Sequence, residues 1–101
     1  MALLGMDFDS GFESRFAEVT GTAATIGNQV ALSYPTGFTY SNCILIGLQY
    51  LDGSSWRTLG ALNASVPCAL TAVLNSDKIY VNTRDNAASG ASIKLALYRY
   101  A

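Results

Sequence analysis

The chain has 101 residues, of which 50% are hydrophobic and 13% charged, with a net charge of −1 and no histidine. That length supports one domain with one core, and charged residues stand well below the roughly 25% of an ordinary soluble domain, so Ser, Thr, Asn, Gly and Tyr must build a surface suited to packing against copies of itself. Lys and Arg are scattered singly and form no stripe for a phosphate backbone, which argues against nucleic acid as a partner.

Residues 1–27 read as an N-terminal segment, either a docking segment or an extra strand, ahead of a β-sandwich over residues 28–101. In residues 1–20, Asp7, Asp9, Glu13 and Glu18 stand against Arg15 alone, while the remainder carries a basic excess. A head-to-tail contact, or one with another protein, would use that asymmetry. The first six residues lack a basic start, and Asp7 interrupts them before an apolar region of signal-peptide length can form. Asp7-Phe8-Asp9-Ser10-Gly11 with Glu18 imitates a calcium loop, but Phe12 stands at the sixth position, where the sharp turn needs glycine, so no metal is expected. Residues 14–20 read as a strand, because Gly21, Gly27 and the Thr-rich stretch between them would break a helix.

Residues 29–34 alternate and stop at Pro35-Thr36-Gly37, a turn cluster. Residues 43–51 are almost continuously apolar, as a central strand covered on both faces would be, and Asp52-Gly53-Ser54 turns the chain back into residues 55–59. The apolar run of residues 66–74 is joined through Asn75-Ser76-Asp77 to residues 78–83, in which Ile79 and Val81 share a face. After a polar loop at residues 85–90, residues 92–100 alternate cleanly. Ile93, Leu95, Leu97 and Arg99 lie on one face, and Ser92, Lys94, Ala96, Tyr98 and Tyr100 on the other. Residues 58–76 are uncharged, but Asn63, Ser65, Pro67 and Asn75 interrupt them, so two strands and a turn fit better than a membrane span and the chain reads as soluble. The total of about seven or eight short strands predicts an all-β fold, a single-domain antiparallel β-sandwich that is jelly-roll-like.

Catalytic equipment is scarce. Outside the N-terminal segment the acidic residues are Asp52, Asp77 and Asp85, each beside Gly, Ser or Asn, and they read as turn aspartates bonded to the local backbone. A nucleophilic Cys43 or Ser would find only Lys78 and Lys94 as further bases. Cys43 and Cys68 sit in apolar runs and read as small buried hydrophobes; two cysteines without histidine make no zinc site. Asn63-Ala64-Ser65 matches a glycosylation sequon and reads as a turn. No enzyme activity and no cofactor are expected.

The aromatic residues are more informative, since they offer rigid amphipathic contact surface. Tyr34, Tyr40, Tyr50 and Trp56 cluster around the turns at Pro35 and Asp52, and with Arg57 they read as a candidate ligand-binding patch for glycan or protein. The competing reading makes Tyr50 and Trp56 cross-strand partners, partly in the core. Tyr98 and Tyr100, on the outer face of the last strand, are candidate subunit-interface residues.

The run Tyr34-Pro35-Thr36-Gly37-Phe38-Thr39-Tyr40-Ser41-Asn42-Cys43, followed by the Trp56 hairpin and closed by Ile93 to Arg99, resembles the C-terminal β-domains of tail-fibre, head-fibre and related virion surface proteins of phages infecting gut and other Gram-positive bacteria. In that group a YP-x-GFT-x-x-NC turn precedes a buried strand. The resemblance implies a β-sandwich, trimeric around a common axis, made in the bacterial cytoplasm and displayed on a virion. Its partners would be itself, other virion proteins and a host surface glycan or protein, with neither nucleic acid nor membrane insertion involved. Asp7, Asp9, Glu13 and Glu18 would then dock on the particle. With 27 residues ahead of the β-sandwich domain instead of a long shaft, a small fibre, head-decoration or collar subunit is the expectation; on a longer shaft the domain would be a receptor- or glycan-binding tip.

Overall fold

The computed structural model describes residues 15–58 and 69–101, and within them the chain forms two antiparallel sheets. β1 (Phe16–Thr22), β2 (Gln29–Leu32), β3 (Cys43–Asp52), β4 (Ser55–Thr58), β5 (Leu70–Leu74), β6 (Ile79–Thr83) and β7 (Ser92–Arg99) follow in chain order, with a single 3-10 turn at Asn86–Ala88. The four-stranded sheet has the order β1-β7-β3-β4 and the three-stranded sheet the order β2-β6-β5. First strand thus pairs with last, and second with next to last, the jelly-roll-like arrangement of an all-β sandwich.

Local chemistry places the hairpins. Asp52 pairs with Ser55 across a two-residue loop whose first residue, Gly53, has φ +65°, the sign that a type II′ turn needs there and that glycine adopts without strain. The β5–β6 hairpin closes through Asn75 N donating to Lys78 O at 3.0 Å. At the loop before β7, Asp85 caps the 3-10 turn by accepting from Ala87 N at 2.9 Å.

The core lies between the sheets. Ile93, Leu95 and Leu97 of β7 are buried against the inward row of β6, Ile79 and Val81, and against Leu70 of β5. The alternation read in residues 92–100 is the one observed, with Lys94, Ala96 and Tyr98 turned outward. Each fully buried Leu or Ile contributes roughly 1.5–3 kcal/mol of transfer free energy. β1 is joined to β7 by a register running from Phe16↔Tyr98 to Thr22↔Ser92, so residues 16–22 are built into the larger sheet. Its inward Gly21 lies beneath Leu32 of β2: a Cβ there would stand 2.8 Å from Leu32 Cδ2.

The expectation that residues 43–51 are covered on both faces is corrected. Pairing with β7 passes from Leu45↔Leu97 to Gly47↔Ala96, leaving Ile46 as the extra residue of a β-bulge. Cys43 is buried before the bulge, and Leu48 and Tyr50 are buried after it. Ile44 and Ile46 instead face outward, 48% and 51% exposed. The apolar run is therefore one-sided in burial, and the bulge changes which parity faces the core.

Candidate functional site

At one end of the sandwich, residues 34–43 form a turn that fastens itself. Gly37 has φ +88°, and Phe38 N donates to Pro35 O at 3.0 Å, closing a turn that needs glycine in its third position. Asn42 Oδ1 accepts from Thr39 N at 2.8 Å, while its Nδ2 donates to Gly37 O at 3.1 Å. Cys43 Sγ donates to Thr39 O at 3.1 Å, and Phe38 is buried beneath the Arg99 guanidinium, 5.7 Å from its ring centre. Tyr100 ties the turn to β7, its N donating to Asn42 O and its hydroxyl to Ser41 O, both at 2.9 Å. The motif residues are thus occupied with holding the turn, and Tyr40, 52% exposed, is the side chain that projects from it.

Tyr34 leaves this turn towards the other sheet, where its hydroxyl donates to Asn75 O at 2.7 Å. Burial, then the nearby Cys43, Asp77 and Tyr40, push the Tyr34 phenol above its ordinary pKa, and burial alone raises the Cys43 thiol. Cys43 is a buried free thiol. Cys68 and the Asn63 sequon lie outside the described residues.

The proposed patch of Tyr34, Tyr40, Tyr50, Trp56 and Arg57 is not assembled. Tyr34 and Tyr40 sit at the Cys43 end of β3, whereas the β3–β4 hairpin that carries Trp56 and Arg57 is at the other end, on the order of 20 Å away at strand rise. Tyr50 is 4% exposed and belongs to the core. It is not the partner of Trp56 either: Tyr50 pairs with Arg57, and Trp56 with Leu51, so Trp56 and Tyr50 point to opposite faces. Arg57 makes an ion pair with Asp52 at 3.1 Å, with both side chains about half exposed. The expectation that the turn aspartates bond the local backbone holds for Asp85 and for Asp77 but not for Asp52, which pairs with Arg57; the Asp77 carboxylate takes backbone hydrogen bonds at Asp77 and Lys78 and also accepts from the Tyr80 hydroxyl at 2.7 Å. That hydrogen bond lowers the Asp77 pKa and raises that of Tyr80. Asp77 lies by the Tyr34 turn and Asp52 at the far end of β3, so these two carboxylates do not face each other. Among the described residues no group of three or more metal-ligating side chains occurs, and no helix is long and apolar enough to cross a membrane.

The outer face of the four-stranded sheet carries the more coherent surface. Directly opposed residues share a face, so the register aligns Phe16, Tyr98 and Ile44 in one outward row. Phe16 and Tyr98 pack ring to ring at 5.1 Å, and Phe16, Ile44 and Ile46 remain 39–51% exposed. The next row holds Glu18, Ala96 and Gly47, where two small residues leave a hollow of about 100 Å³ bordered by Glu18, Gln49, Thr58 and Lys94. Beyond it, Gln49 Nε2 donates to Thr58 Oγ1 at 3.1 Å, and Lys94 Nζ stands 4.2 Å from the Trp56 ring centre. Of the expected interface residues, Tyr98 belongs to the apolar row and Tyr100 is fastened to the turn above it. Glu18 is on the same face, whereas Asp7, Asp9 and Glu13 lie outside the described residues. Phe16, Ile44 and Ile46 escaped the sequence reading; for β3 the signal available was β-branched residues at positions 44 and 46, beside the equally apolar Cys43 and Leu45.

Comparison with protein-family models, with curated proteins and with solved structures finds no match.

Proposed function

We propose that the chain is a non-enzymatic structural protein of a phage virion surface, a small fibre, head-decoration or collar subunit, that works by self-association and binding. The observation that carries this reading is the outward apolar row of Phe16, Tyr98 and Ile44, with Ile46 beside it, on a sheet face that no other element of the described fold covers. An apolar surface of this kind on a small domain marks an interaction site. The low charge content favours a like-on-like contact, because few ionic groups need be desolvated when two copies meet. The virion itself enters through the resemblance of residues 34–43, in which Gly37, Phe38, Asn42 and Cys43 all take part in holding the turn.

Light scattering and sedimentation of the purified protein at micromolar concentration test the self-association, for which a homo-oligomer is expected and a stable monomer would overturn it. Mass spectrometry of purified particles tests the location: the chain is expected among the virion proteins, and its absence there overturns the particle assignment independently.

A further inference from the structure

The outer face of the four-stranded sheet has a shape and a charge pattern that constrain how a second copy would sit on it. The bulge pushes Ile46 outward, and immediately beside it the row of Gly47 and Ala96 leaves the hollow already described. A projection and a recess therefore lie next to each other on one face. Glu18 on β1 is opposite Ala96, and Lys94 is two residues further along β7, so the two residues are diagonal neighbours beside this hollow, roughly 7–8 Å apart at the backbone. They make no ion pair with each other, and among the described residues the only ion pair is Arg57–Asp52.

We infer that this face is an isologous interface for a second copy of the same chain. A twofold axis runs over the hollow, Ile46 of each copy packs at its edge against Ile46 and Gly47 of the other, and Glu18 of each copy meets Lys94 of the other. The inference rests on the self-association proposed above and adds its geometry. Both features point to the same operator: in a twofold contact a projection beside a recess satisfies both at once, as does an acid beside a base. An axis lying diagonally between Glu18 and Lys94 exchanges these two and passes beside Ile46, so that Ile46 of one copy lies against Ile46 and Gly47 of the other. The strands of the two copies then cross at a steep angle, as in orthogonal sheet packing. Three strands of seven to ten residues and a fourth of four, about 4.8 Å apart, give a planar face of roughly 400 Å² per copy, so the contact has the size of a weak, reversible association. Lys94 is held over Trp56, and that placement positions the ammonium for the incoming carboxylate.

The test is sedimentation equilibrium of the full chain with four variants. Glu18→Lys and Lys94→Glu each set like charges against each other twice across the axis, and each is expected to weaken the dimer about tenfold or more, while the double reversal restores it to near the wild-type value. Gly47→Ala adds one methyl to the recess. Within its own fold that methyl meets only Ala96 Cβ at 3.4 Å, an ordinary contact, so association is expected to fall while the melting temperature holds. A wild-type trimer, or a double reversal no better than the singles, overturns the twofold arrangement and leaves self-association standing. A wild-type monomer overturns both. Melting curves of every variant separate lost association from lost folding.

Discussion

The side chain of Asn42 holds the carbonyl of Gly37, its Nδ2 donating at 3.1 Å while its Oδ1 accepts from Thr39 N at 2.8 Å. One amide thereby spans the turn in both directions, something neither Asp nor Leu of similar size can do, because of these three only the amide offers a donor and an acceptor together. Asn42→Ala removes both bonds and is expected to destabilise the fold by about 1–2 kcal/mol. Urea denaturation measures this, and an unchanged midpoint would show that the turn holds without the clamp.

Gly21 sets how closely β1 approaches β2. A methyl at that position stands 2.8 Å from the end of the Leu32 side chain, which can swing a little, so Gly21→Ala is expected to cost less than Gly21→Val. The valine variant has to part the sheets, at roughly 1–3 kcal/mol for overpacking. Thermal melting of the pair tests the order, and a valine variant as stable as wild type would place Leu32 elsewhere.

Asp77 titrates below the usual carboxylate range, chiefly because the Tyr80 hydroxyl donates to it. A carboxylate with a depressed pKa contributes stability at pH values above its unfolded pKa, and that contribution disappears as the pH falls through the lower folded value. Tyr80→Phe is expected to return the Asp77 titration midpoint, followed by carboxyl NMR, to the ordinary range and to flatten the acid limb of the stability profile. A midpoint that does not move would assign the shift to the hairpin backbone.

At the alkaline end the sign reverses. Burial raises the Tyr34 phenol and the Cys43 thiol, so each favours its neutral form in the fold. Their contribution is full below the unfolded pKa values and is lost as the pH rises through the folded ones. Melting temperature is expected to fall above the ordinary thiol range. Tyr34→Phe, which also gives up the bond to Asn75 O, should lie below wild type at neutral pH and lose less on alkalinisation. Parallel curves for the two proteins would remove Tyr34 from the effect.

The strands that could be read from the amino acids were those whose alternation runs unbroken. In β7 the even–odd contrast between Lys94, Ala96, Tyr98 and Ile93, Leu95, Leu97 is also the contrast between water and core. β3 was legible as a strand but not in its facing, because Ile44 and Ile46 are as apolar as Leu45 and Leu48, and a bulge leaves no composition signal when every residue around it is hydrophobic. The same cause dissolved the aromatic patch. Tyr50 and Trp56 are close along the chain, but proximity does not say which face each takes. A two-residue loop with Asp52 opposite Ser55 sets Trp56 against Leu51 and leaves Tyr50 for the core. In the Tyr34–Cys43 turn, the residues that looked like recognition elements are mostly its fastenings, and only the hydrogen bonds could separate these from Tyr40.

The extra residue in β3 also has a bearing on length variation. Removing Ile46 would shorten the strand by a single residue, yet it would bring the two halves into one continuous alternation. With Cys43 and Leu45 in their places, Gly47 and Gln49 would then face outward and Leu48 and Tyr50 inward, the facing and the pairing with β7 that they already have. A deletion here takes out the bulge and leaves the core rows in place, and substitutions at the same position are borne at the surface. Viable descendants of this sequence are therefore expected to vary the residue at position 46 in identity and also to lose it, whereas a deletion farther along β3, away from the bulge, would turn part of the strand over.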